Sequence, residues 1–347
     1  MTEPPTGTPT GSGLAVVRHH PTLFYLVLLF LLIVSAFIAL GTGPVTISPV
    51  YIFTALTGSS ASGTNPSSII LDIRFTRILA AGIVGAGLSV SGAALQGMFR
   101  NPLVSSHILG ITPGAGFGAA IAILMGAPLQ VIALFSFLGG IGALFLTILL
   151  AGIRGTSGSL MLILCGIICG ALFQALTALV KYLADPADRL PSIVFWLMGS
   201  FNHLTPDLIL YSLVFIVLPA GVLLAARWQI SLLSLGEEHA QALGLDVRML
   251  VLLIVIASAL IASAAVAIAG MIAWVGLLVP NVVRILTGPD FRILLPASAL
   301  CGAIYLIGAD TLARSLTFYE IPVGIITAMI GAPVLIFLIR KETGWWQ

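Results

Sequence analysis

The chain has 347 residues, of which 59% are hydrophobic and 7% charged, with a formal net charge of +2. A soluble domain carries about a quarter charged residues, so a fully solvated surface is excluded, and so small a net charge is no polyanion-binding signature. A mean hydropathy of +1.17 points instead to an outer surface that faces lipid.

Residues 1–21 are rich in Pro, Gly and Thr without apolar periodicity and read as a disordered cytoplasmic tail. Arg18, His19 and His20 then precede the apolar run Leu23–Leu40. At ~1.5 Å per residue this run spans a bilayer. Lacking an Ala-x-Ala site just after it, it reads as a retained first transmembrane helix and not as a cleaved signal. Apolar runs separated by polar or Gly/Pro breaks predict about ten spans: 22–41, 75–97, 105–125, 129–152, 159–183, 206–226, 248–269, 273–287, 293–313 and 322–340. The eighth is short and holds Gly276 and Pro280, so a break is expected there. The fold class is therefore all-α and polytopic, with a membrane domain over 22–341 and a second cytoplasmic tail at 342–347.

Lys and Arg bias sets the orientation. With both termini inside, nine basic residues fall on the cytoplasmic side (Arg18, Arg100, Arg154, Arg227, Arg248, Arg284, Arg292, Arg340, Lys341) and five outside (Arg74, Arg77, Lys181, Arg189, Arg314). The outer arginines run against the bias and call for a reason. Gly110, Gly114 and Gly118 recur every four positions, as do Gly166 and Gly170, a spacing that lets helix backbones approach closely, within one subunit or across a dimer seam. Gly92 and Pro102 are ten apart, as are Gly270 and Pro280, a faint internal echo. Cys165 and Cys169 share a helical face, but no His or carboxylate joins them, so they read as packing residues and no metal site is expected.

The longest polar stretch between spans is 227–248, on the cytoplasmic side. Ser234 and Glu237 have capping-box spacing, Glu237 and Glu238 suit a helix N-terminus, and Gly244 suits a left-handed stop. A short helix held between two spans is expected, with Glu237, Glu238, His239, Ala240, Ala242, Leu243 and Gly244 as its body and end. No nucleotide-binding Gly-Lys-Ser/Thr loop and no catalytic constellation occurs in the chain, so an enzyme is not expected. The competing class is an ion-coupled secondary transporter. It calls for membrane-buried ionisable groups, whereas Asp and Glu here fall in the tail, in loops or at span ends.

Nine segments in order carry a resemblance: 74–82 (RFTRILAAG), 91–97 (SGAALQG), 99–103 (FRNPL), 109–115 (LGITPGA), 195–200 (FWLMGS), 235–244 (LGEEHAQALG), 274–280 (WVGLLVP), 309–314 (ADTLAR) and 321–333 (IPVGIITAMIGAP). In these the chain resembles the permeases of ABC importers for iron chelates, haem, molybdate and vitamin B12. The resemblance implies a type II importer permease fold, with ten helices per subunit in a homodimer in the cytoplasmic membrane. It implies two separate ATPase subunits, a soluble substrate-binding protein docking from outside, and no cofactor. The cargo it implies is a metal chelate, foremost an iron–siderophore or haem, with cobalamin or an oxyanion also within the family's range.

The matched residues then take expected roles. Arg74, Arg77 and Arg314 would pair with carboxylates of the docking protein, for which a planar guanidinium fork is suited; otherwise they anchor the chain at the interface by snorkelling. Residues Glu237–Gly244 would couple to the ATPase. The family's cytoplasmic gate at the start of the fifth span maps to Ser157, Ser159 and Leu160, where the serines read equally well as helix caps. Met198, Asn202 and His203 would meet cargo leaving the binding protein, although His203 also reads as a satisfied loop residue. One departure stands out. The family often has His after the proline of the 274–280 segment, and this chain has Asn281, which cannot titrate.

Overall fold

The computed structural model describes residues 21–43, 47–48, 50, 52–53, 69–152, 158–202, 204–205, 209–211, 213–317 and 319–341. Ser157, His203 and the two proposed tails (1–20 and 342–347) lie outside these. The described residues form α1 (Pro21–Gly41), a π-helical turn Ile69–Phe75 leading into α2 (Thr76–Phe99), α3 (Ile111–Leu124), α4 (Leu129–Ala151) and α5 (Gly158–Leu183). After these come α6 (Arg189–Met198), a second π-helical turn Leu213–Val217 leading into α7 (Leu218–Ala225), α8 (Arg227–Leu233) and α9 (Glu237–Ala242). The chain closes with α10 (Val247–Ala269), α11 (Val275–Thr287), α12 (Phe291–Ser315) and α13 (Val323–Lys341). The fold is all-helical, as composition and periodicity require.

Among the described residues, six helices are long and apolar enough to cross a membrane: α1, α2, α4, α5, α10 and α12. A seventh crossing is added if the pair Ile209–Ala225 and Arg227–Leu233, bent by 61°, counts as one span. Helix length therefore does not establish ten crossings. The expected spans 105–125 and 273–287 appear as helices of only 14 and 13 residues. In the first case residues 101–110 are turns: the Leu103 N–H donates to Asn101 Oδ1 at 2.9 Å, and Gly110 at φ 76° sets the start of α3. The sequence reading also missed α6, a ten-residue helix of mixed polarity between two expected spans.

The helices differ sharply in burial. Within their apolar windows 78% of α2 and 72% of α10 are buried, against 17% of α1 and 28% of α5. The first two are central pillars, and the last two keep broad apolar faces turned outward, as lipid contact demands. Between helices in lipid there is no hydrophobic driving force, so close van der Waals packing must hold them. The glycines supply it inside the subunit. A Cβ on Gly85 would overlap the Gly302 carbonyl of α12, and one on Gly118 would overlap the Phe135 carbonyl of α4.

The central crossing is that of α2 with α11. A Cβ on Gly92 would overlap the Gly276 carbonyl. That carbonyl is also the one Pro280, four residues on and without an N–H, leaves unbonded within the helix. Gln96 Nε2 donates to the Gly276 and Leu277 carbonyls, each at 3.4 Å. The expected break at Gly276 and Pro280 does not occur: α11 runs unbroken through both from Val275 to Thr287, and the interruption falls ahead of it, at residues 270–274 after α10 ends at Ala269.

Candidate functional site: a cavity between two polar ends

The polar side chains gather at the two ends of α2, which at 24 residues separates them by about 36 Å. At its start lie Arg74, Arg77 and Arg314, only 4%, 7% and 4% exposed. The three arginines expected to meet a docking protein or to anchor at the interface are thus buried within this chain. Asp310 is the centre. Its Oδ1 accepts from Arg77 Nε at 2.9 Å and Nη2 at 2.8 Å, and its Oδ2 accepts from Arg314 Nε at 3.1 Å, one helical turn along α12. Arg77 Nη1 donates to Glu320 Oε2 at 2.9 Å and to Asn202 Oδ1 at 2.7 Å. The end of α1 supplies the rest. Arg74 Nη1 donates to the Leu40 carbonyl at 2.6 Å, and Arg314 donates to the Ala39 and Thr42 carbonyls, each at 3.3 Å. The Ala39 and Leu40 carbonyls belong to the last turn of α1, which has no intrahelical donors for them and carries partial negative charge, and Thr42 directly follows it. Three buried cations are therefore met by two carboxylates and one helix C-terminus. Asn202, expected on the cargo route, sits in this cluster.

Between the two ends lies a cavity of about 440 Å³, within the range of small-ligand sites. Its wall combines Met198, Met271, Met329 and Trp274 with His107 and Thr112. Among the described residues that line it there is no Asp, Glu, Lys or Arg. Three helices start at this wall, α3 through Thr112, α11 through Trp274 and Gly276, and α13 through Gly324. The backbone here is forced. Trp274 holds φ 73°, uncommon for a bulky residue, and Gly270 at φ 66° passes so close to the Trp196 carbonyl that a side chain would overlap it. Met198, singled out from sequence, lines this cavity. Met271, Met329 and Trp274 were not singled out, because single Met and Trp residues in apolar runs look like ordinary packing.

At the other end of α2, Arg284 donates to Gln96 Oε1 at 2.7 Å and to Asn281 Oδ1 at 2.8 Å. Asn281 Nδ2 donates to the Pro102 and Leu277 carbonyls at 2.9 and 2.8 Å. The residue that departs from the family pattern thus donates twice and accepts once. A neutral imidazole, with one donor and one acceptor, could not match that.

Nearby, α9 spans Glu237–Ala242 with both glutamates in its first turn. Its cap is Gly236 at φ 130°, not the Ser234 box, because the Ser234 hydroxyl donates to the Ser231 carbonyl instead. Gly244 adopts φ 83°, the left-handed stop the sequence suggested. Ala240 is fully buried, while Glu238, His239, Ala242, Leu243 and Gly244 are exposed and Glu237 is half-buried. Leu160, at the start of α5, is 67% exposed. Cys165 and Cys169 are buried free thiols, and the described residues include no group of three His, Cys, Asp or Glu able to hold a metal ion.

A model of the FecCD transport family matches residues 31–341. The chain belongs to the FecCD transport family. As a FecCD protein it is a membrane-embedded permease component of an ABC transporter, and ATP hydrolysis resides in a separate chain. It is similar to the molybdate import system permease protein MolB of Haemophilus influenzae, 42% identical over 317 residues, 90% of this chain and 94% of the relative. The hemin transport system permease protein HmuU of Yersinia pestis is 39% identical over 335 residues, 94% of this chain and 97% of the relative. The FecCD fold also matches a solved inward-facing ABC transporter assigned to the metal-chelate type, with a TM-score of 0.84 and 40% identity, covering 92% of this chain and 99% of that one.

Proposed function

We propose that this FecCD permease works as a homodimer in the cytoplasmic membrane, both termini inside, importing a chelated metal. Two ATPase subunits on the cytoplasmic side drive it, and a substrate-binding protein delivers cargo from outside. The exposed side of α9 is the coupling contact with the ATPase, and Ser157, Ser159 and Leu160 form the cytoplasmic gate. The arginine cluster at the opposite end of α2 receives carboxylates of the binding protein.

The observation that carries the reading is the cavity at the break between α10 and α11. Substrate sites of membrane transporters gather where helices are interrupted, and helix N-termini directed at them favour negative charge. A wall of three helix starts and thioethers, free of charged side chains among its described residues, suits a ligand with anionic oxygens and an apolar body. An anionic ferric chelate fits that description, as does haem with its propionates.

The test is reconstitution. The permease, co-expressed with its ATPase and placed in liposomes, is supplied with loaded binding protein outside and ATP inside. Uptake of a labelled ferric chelate or haem, dependent on both partners, is the expected result, and the isolated permease should hydrolyse no ATP. Uptake driven by an ion gradient without the ATPase would overturn the reading.

A further inference from the structure

Buried arginines are poor docking groups unless something gives them a way to meet a partner. The cluster at the start of α2 contains one such route. Arg77 uses Nε and Nη2 on Asp310 and Nη1 on Glu320 and Asn202. The two carboxylates differ in kind. The Asp310 side chain is 2% exposed, lies inside α12, and is gripped by two guanidinium groups. The Glu320 side chain is 28% exposed, lies in the connection between α12 and α13 outside any helix, and touches the cluster through the Nη1 of Arg77. Asp310 is a permanent member, whereas Glu320 covers the cluster from its solvent side.

We infer that Glu320 is a built-in competitor for the binding protein: it occupies Nη1 of Arg77 in the free permease and yields that position to an incoming carboxylate. The inference rests on the docking role proposed above for the arginine cluster. The exchange is chemically balanced. Arg77 keeps a carboxylate partner before and after docking, and Asn202 Oδ1 on the same nitrogen bridges the moment between them. A buried guanidinium is never left bare, which would be costly. With Glu320 in place the five ionic groups sum to +1, from Arg74, Arg77 and Arg314 against Asp310 and Glu320; with it displaced they sum to +2. The covered state thus weakens attraction for any acidic surface, and the uncovered state strengthens it.

The experiment uses the permease–ATPase complex in nanodiscs, with binding-protein affinity measured at low and high salt for three forms. In Glu320→Gln the side chain keeps its shape and its acceptor but loses its charge. Docking should tighten about two- to fivefold, the range expected for loss of one partly exposed competing pair, and its salt dependence should steepen. In the double variant Arg77→Gln with Glu320→Gln the docking group is removed while Asp310 keeps Arg314, so affinity should fall below wild type. Should that form fail to assemble with the ATPase, Arg77→Lys in the Glu320→Gln background replaces it, since it keeps the charge but not the fork. If Glu320→Gln docks no tighter than wild type while loss of Arg77 weakens docking, Glu320 is no competitor, although the arginine cluster still docks. If all forms dock alike, the docking role itself is wrong.

Discussion

Replacing Asp310 with Asn tests whether the arginine cluster holds the fold together. Asp310 is the sole carboxylate in contact with both Arg77 and Arg314 among the described residues. Asparagine has nearly the same shape, so little packing is lost. What changes is charge: two guanidinium groups with side chains only 8% and 4% exposed lose their shared counter-ion. Removing one partner of a buried ion pair costs ~3–5 kcal/mol, because the remaining charge stays buried without compensation. Here Glu320 still holds Arg77 and the α1 carbonyls still hold Arg314, so the lower end, about 3 kcal/mol, is expected. The assay is the apparent unfolding temperature of the detergent-purified chain, compared at one scan rate since membrane-protein unfolding is seldom reversible. Asp188→Asn is the control. Its pair with Arg189 is well exposed, with Asp188 at 67%, and its loss should cost under ~1 kcal/mol. Adding Arg314→Gln to Asp310→Asn should recover part of the loss, since the second change removes a stranded cation. Equal shifts for Asp310→Asn and Asp188→Asn would refute the argument that this cluster is a structural clamp.

Two further outcomes follow from named contacts. On α9, Ala242→Trp should weaken co-purification of the ATPase while the permease stays folded, whereas Ala240→Trp, at a fully buried position, should lower yield and thermal stability before any partner is added. Size-exclusion profiles beside pull-downs separate the two, and identical behaviour would contradict the assigned faces. At the start of α12, Asp290 Oδ1 accepts the Arg292 N–H at 2.9 Å, and the hydrogen bonds from the Arg292 side chain hold its carboxyl below the usual carboxylate range. A depressed folded-state pKa contributes stability that is fully present above the ordinary carboxylate range and lost as pH falls through the lowered value. Wild type should therefore lose stability on acidification more steeply than Asp290→Asn, measured as unfolding temperature against pH, and parallel curves would show that the cap does not titrate with folding.

Helix positions were legible because each apolar run is long enough to be one, and every expected span has a helical counterpart among the described residues. Their ends were less so. The start of α3 is set by the turns at 101–110 and the backbone of Gly110, features that hydropathy averages away. The Ser234 box failed because its hydroxyl, directly after α8, had a nearer carbonyl in Ser231. At the arginine cluster, Asp310 and Arg314 are four residues apart, a spacing that a helix brings together. Sequence spacing could not reveal that Arg77 lies 233 residues from Asp310 in the chain and touches it, nor that Glu320 is 243 residues from Arg77 and covers it. The three arginines that ran against the expected topological bias are buried. Their burial depended on long-range contacts that no local pattern encodes. The cavity was not legible: the interruption falls ahead of the eighth span and not within it, and the wall is made from five separate stretches of chain.

The bond from Gln96 to the Gly276 carbonyl has a consequence for descent. Pro280 deprives that carbonyl of its helical donor, and Gln96, on another helix and 184 positions earlier, supplies one in its place. Each residue makes the other useful: an amide at 96 has a vacant acceptor to reach because 280 is proline, and proline at 280 is tolerable because 96 reaches it. Substitution at one position should relax the constraint on the other. In an alignment of FecCD permeases deep enough to show paired changes, positions 96 and 280 should therefore be inherited as a unit, with donors at 96 retained wherever proline stands at 280.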